Sequence, residues 1–98
     1  MCGICGCAST WQSVSPVLRK VLRIMEEYEF GFESAGMATV YKGKTLYRKG
    51  VGSVDKVFPV NGSWSKILLG SVGIGHVRYP SPKAPMGKSH VCAPVFEL

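Results

Sequence analysis

Of the four cysteines in this 98-residue chain, Cys2, Cys5 and Cys7 crowd the beginning and Cys92 stands far away. Cys2 has chemistry that the others lack. Removal of Met1 is expected when a small residue follows it, and removal would leave Cys2 with a free α-amine. A thiol of ordinary pKa, about 8.5, is only slightly ionised at neutral pH, whereas an α-amine titrates at about 7.7–8.0. Such an amine can take the thiol proton, directly or through water, and later deliver it to a leaving nitrogen. Cys2 is therefore a candidate nucleophile that carries its own general base. The alternative reading is a residue that merely stands near the start of a strand.

The remaining cysteines suit plainer roles. Side chains alternate faces along a strand, so Cys5 and Cys7 point one way and Cys2 the other. Thiolates bind zinc and iron–sulfur clusters, but a zinc knuckle wants two separated pairs and a cluster run wants regular two-residue gaps. This spacing has neither, and no metal or other cofactor is expected. With no export signal, disulfides are not expected either. Cys5, Cys7 and Cys92 read as small buried hydrophobes.

Several elements must position these groups. Met1 to Ser9, small and apolar, reads as a short buried strand. A helix follows, with Ser15 as N-cap and Pro16 at its first position. Val17, Leu18, Val21, Leu22, Met25 and Tyr28 make its apolar stripe, and Arg19, Lys20, Arg23, Glu26 and Glu27 its wet face. Bases near the start and acids near the end oppose the helix dipole. A hairpin is predicted from Ala35–Tyr41 and Thr45–Val51 around Lys42-Gly43-Lys44. Ser53 caps a short helical turn through Phe58. Pro59 to Ser65 is a loop, and Asn61-Gly62 within it a turn. Val72 to Tyr79 reads as a buried strand, and Val91 to Leu98 as the start of another.

Composition and length set the bounds. The chain is 46% hydrophobic and 18% charged, which excludes a disordered polymer. No apolar run approaches the roughly 20 residues of a spanning helix, and no signal peptide opens the chain. A soluble, cytoplasmic protein of one domain over residues 1–98 is expected, with no membrane partner. Twelve Lys+Arg against six Asp+Glu give +6. Those bases are dispersed, so nucleic acid is not the expected partner. The densest run, Lys42 to Lys49, reads as solvated surface.

Three blocks in order carry a family resemblance: Met1-Cys2-Gly3-Ile4, Phe30-Gly31-Phe32-Glu33-Ser34-Ala35-Gly36 and Gly73-Ile74-Gly75-His76-Val77-Arg78-Tyr79. They resemble the opening, the Arg-Gly-x-Asp-Ser-Ala-Gly block and the Gly-x-Gly-His-x-Arg-Tyr block of the class II glutamine amidotransferases. These are N-terminal-nucleophile (Ntn) hydrolases. The Tyr after Arg78 is most similar to the amidophosphoribosyltransferase-like branch. The resemblance implies an α+β fold: the N-terminal half of an α/β/β/α sandwich of antiparallel strands, incomplete within this length.

The resemblance also implies a function. Cys2 matches the nucleophile that forms a thioester with the glutamine side chain, releasing ammonia and then glutamate. Arg78 matches the arginine that grips the α-carboxylate of glutamine, a role its guanidinium fork suits. Ser81 sits where a Thr often touches the same carboxylate. His76 reads as a packed strand histidine. Ammonia would pass to a synthase or transferase domain or subunit, or the chain would work as a homo-oligomer. The sequence departs from the pattern as well. Phe30 stands where the family has Arg, and Lys83 near the place of a glycine. No Asn-Gly pair and no Asp follow Arg78, although the family draws its oxyanion hole and its amine ligand from there. The alternative is therefore a catalytically inactive interaction or regulatory module.

Overall fold

The computed structural model describes residues 3–29 and 33–78. The elements run β1 (Gly3–Ala8), α1 (Ser15–Glu29), β2 (Ser34–Tyr41), β3 (Lys44–Val51), α2 (Val54–Val57), α3 (Trp64–Ile67) and β4 (Val72–Arg78). The strands form one four-stranded sheet in the order β1-β4-β2-β3. Every pairing is antiparallel, and β4 sits between β1 and β2.

The hairpin forms because its turn chemistry allows it. Tyr41 pairs with Lys44, and Lys42 (φ 51°) and Gly43 (φ 77°) span the gap. Two central residues with positive φ match the right-handed twist of the arms, and glycine takes that region without steric cost.

One face of the sheet is covered. Leu18 and Leu22 of α1 are fully buried with Ala35, Met37 and Val77. Ala35 and Val77 are register partners, so β2 and β4 send these side chains to the same side. Phe58 and Trp64 close the core edge to face, their centroids 5.4 Å apart. On the other face Ile4, Val40, Val72 and Ile74 are exposed. The same face is buried at Ala38, His76 and Arg78, so only part of it is exposed. Helix over one antiparallel sheet is the expected half of a sandwich.

The misplaced charges of α1 have a structural account. Arg19 Nη2 donates to Asp55 Oδ1 at 2.7 Å and its Nε to the Phe58 carbonyl at 2.6 Å, while Arg23 Nε reaches Asp55 Oδ2 at 3.3 Å. Glu26 Oε2 accepts the Val54 N–H at 2.7 Å, and Ser53 Oγ accepts that of Lys56 at 3.3 Å. The wet face of α1 thus docks and caps α2, which offsets the unfavourable dipole.

Some expectations are corrected. Strand β1 is an edge strand whose side chains alternate between half-buried and exposed, because only one of its faces meets α1. The Leu18 N–H bonds to the Val14 carbonyl, so Val14 holds the N-cap place and Ser15 Oγ caps nothing. Val17 is 38% and Tyr28 78% exposed, so both leave the apolar stripe, whose buried part is centred on Leu18 and Leu22. The stretch read as a loop contains the start of α3, a single turn closed by the Leu68 N–H on the Trp64 carbonyl. The strand proposed for Val91–Leu98 lies outside the described residues.

Candidate active site

Arg78 is the last residue of β4 and is 5% exposed. Strand β2 and the residue before it hold it. Ser34 is its register partner on β2, and the Glu33 N–H donates to the Arg78 carbonyl at 3.2 Å. The Glu33 carbonyl in turn accepts the Gly52 N–H at 2.7 Å. Glu33 is therefore pinned from both sides, and its side chain lies buried against the arginine. Its Oε2 is 3.6 Å from Arg78 Nη1. That is an ion pair at a length beyond a good hydrogen bond.

On the far side of β4, Gly3 pairs with Val77, the residue before Arg78. Strand β1 thus begins one residue after Cys2, beside the strand that ends in Arg78. His76 is also buried, between its register partners Ile4 and Gly36, as expected of a packed strand histidine. Cys2 and Ser81 lie outside the described residues, as do Phe30, Tyr79, Lys83 and Cys92. Of the expected site residues, the structure places Arg78.

Cys5 and Cys7 share the face toward α1 and pack against the core. Burial pushes the Cys5 thiol above its ordinary value, the Gly75 backbone hydrogen bond offsets part of this, and the neighbouring Cys7 adds to it. A raised thiol suits packing and not nucleophilic attack. Among the described residues no group of three or more His, Cys, Asp or Glu could hold a metal ion. Asn61-Gly62 is a turn, closed by the Gly62 N–H on the Pro59 carbonyl at 3.0 Å.

Glu33 is the residue that sequence reasoning passed over. Its signal was present: a single acid entering a strand otherwise made of small and apolar residues. Arginine offers five N–H donors in one plane. A buried guanidinium with one carboxylate already beside it can take a second carboxylate on another edge, in a fork geometry that a lysine lacks.

No family model matches the chain. It is 34% identical over 85 residues to glutamine–fructose-6-phosphate aminotransferase [isomerizing] of Pyrococcus horikoshii, covering 87% of this chain and 13% of that protein. To amidophosphoribosyltransferase of Pseudomonas aeruginosa it is 38% identical over 81 residues, covering 83% of this chain and 15% of that protein. Among solved structures it matches glutamine phosphoribosylpyrophosphate amidotransferase from B. subtilis with a TM-score of 0.58 and 25% identity, over 78% of this chain and 16% of that one. The allosteric regulatory enzyme of purine biosynthesis shares the fold, with a TM-score of 0.61 and 24% identity over 80% of this chain and 16% of that one. The chain therefore spans a small fraction of the length of its relatives. With their sequence similarity and their fold, it belongs to the class II glutamine amidotransferases, as the N-terminal part of that domain.

Proposed function

We propose that this chain is the glutamine-hydrolysing part of an amidotransferase. Cys2, freed of Met1, attacks the side-chain carbonyl carbon of glutamine. Its α-amine takes the thiol proton and returns it to the leaving nitrogen. Ammonia departs, a thioester remains, and water hydrolyses it to glutamate and the free thiol. Arg78 grips the substrate α-carboxylate, and the Ser81 hydroxyl adds a donor to the same group. Ammonia passes to a synthase or transferase domain or subunit. The single domain expected over residues 1–98 belongs to this reading.

The observation that supports it most is the juxtaposition at the sheet centre. A buried guanidinium ends β4, and the neighbouring strand begins one residue after Cys2. The test is covalent labelling. A glutamine-analogue affinity label on chain freed of Met1 is expected to add one adduct at Cys2, read by intact mass and peptide mapping, and excess glutamine is expected to protect. A label that never modifies Cys2 contradicts the reading.

A second reading rests on the exposed part of the sheet face turned away from α1, where Ile4 is 70% and Val72 51% exposed. Such a face suits an interaction module without turnover. Glutaminase activity restored by mixing with a separate polypeptide contradicts it.

A further inference from the structure

We propose that Glu33 is a positioning residue of the carboxylate site: its side chain holds the Arg78 guanidinium in the place and orientation that receive the α-carboxylate of glutamine. The inference rests on the reading of Arg78 as the clamp. It starts from the pairing of two buried opposite charges at the end of the central strand, 3.6 Å apart. A guanidinium keeps its charge at every working pH, so its burial calls for counter-charge nearby. Glu33 supplies one from a backbone that two neighbouring segments fix. The Glu33 N–H bonds to Arg78 itself, and the Glu33 carbonyl accepts from Gly52.

The length of the contact matters. At 3.6 Å, Glu33 Oε2 attracts Arg78 Nη1 without a good hydrogen bond between these two atoms. Glu33 steadies the fork more than it occupies it. An incoming carboxylate would meet the guanidinium at hydrogen-bond distance and the Glu33 carboxylate across the fork, farther off. Attraction at the shorter distance exceeds repulsion at the longer. A clamp already held in position does not lose its own freedom on binding, which favours the ligand that uses it.

The experiment measures ligand selectivity in the full chain carrying Cys2→Ala, so that binding is read without turnover. Calorimetry gives dissociation constants for L-glutamine and for L-glutamine α-amide, in which a neutral amide replaces the α-carboxylate. The parent is expected to prefer glutamine by roughly tenfold or more, the usual worth of hydrogen bonds to a charged group. Glu33→Gln is expected to bring the preference below about threefold. Glu33→Asp keeps the charge one methylene farther back and is expected to lie between the two. A role in folding alone would weaken both ligands equally and leave the preference intact.

Parent selectivity in Glu33→Gln, a gain in selectivity, or parent selectivity in Glu33→Asp overturns the inference. Cooperative melting checks each fold, and if Glu33→Gln does not melt cooperatively, Glu33→Asp decides alone. Arg78→Gln separates the two readings. If it keeps the parent's preference, or the parent has none, the clamp reading falls and this inference with it. If the preference is lost in Arg78→Gln and kept in Glu33→Gln, the role of Glu33 falls alone.

Discussion

Leu22 of helix α1 lies directly over Gly75 of strand β4. A Cβ placed on Gly75 would sit 3.0 Å from Leu22 Cδ2 and 3.1 Å from its Cδ1 and Cγ. The helix approaches the sheet as closely as it does because the strand offers no side chain there. Gly75→Ala is expected to destabilise the fold by about 1–3 kcal/mol through overpacking. Leu22→Ala is expected to cost about 2–5 kcal/mol by leaving a cavity. The double variant should cost less than the sum, because the smaller side chain makes room for the added methyl. Urea denaturation of the four proteins checks this, and strict additivity would contradict the packing.

Arg19 serves two acceptors on the α2 side, Asp55 and the Phe58 carbonyl. Asp55 is 55% exposed at its side chain, so the ion pair itself is worth little. Asp55→Asn is expected to cost under about 1 kcal/mol, an effect that fades as salt rises. Arg19→Ala is expected to cost more, about 1–3 kcal/mol, because it strips a partly buried carbonyl of its donor. Melting curves at low and high salt measure both. A larger loss for Asp55→Asn than for Arg19→Ala would contradict the assignment.

Stability should fall at alkaline pH in a way traceable to Cys5. Burial pushes this thiol above its ordinary value. The folded chain then holds a proton that the unfolded chain releases. Stability is full below pH 9 or so and declines as pH rises toward the folded value. Cys5→Ser should flatten that part of the profile relative to the parent. Equal alkaline slopes in the two proteins would contradict a raised thiol.

Much of this was legible in the sequence. The hairpin was legible, but its turn is Lys42-Gly43 and not Lys42-Gly43-Lys44, because Lys44 already pairs with Tyr41; Ser53 caps α2 as its type and place suggest. The stripe of α1 was right at Leu18 and Leu22 and wrong at Val17 and Tyr28, since periodicity alone cannot say which turns of a helix meet the sheet. Strand β1 read as buried because its residues are small and apolar, yet an edge position with one bare face is a tertiary fact. The dipole conflict in α1 had no local solution. Its answer, Asp55, stands 36 residues from Arg19. In the candidate site, Arg78 was legible from its motif. Glu33 stood in the second block without a role, because only the pairing of β2 with β4 brings it to Arg78.

The most direct measurement is glutamate release from L-glutamine by chain freed of Met1, beside the same chain carrying Cys2→Ala. The expected result is release that depends on Cys2 and falls to background in the variant, with Arg78→Gln raising the glutamine concentration needed. Equal rates in the Cys2 and Cys2→Ala proteins would contradict the claim that this thiol hydrolyses glutamine.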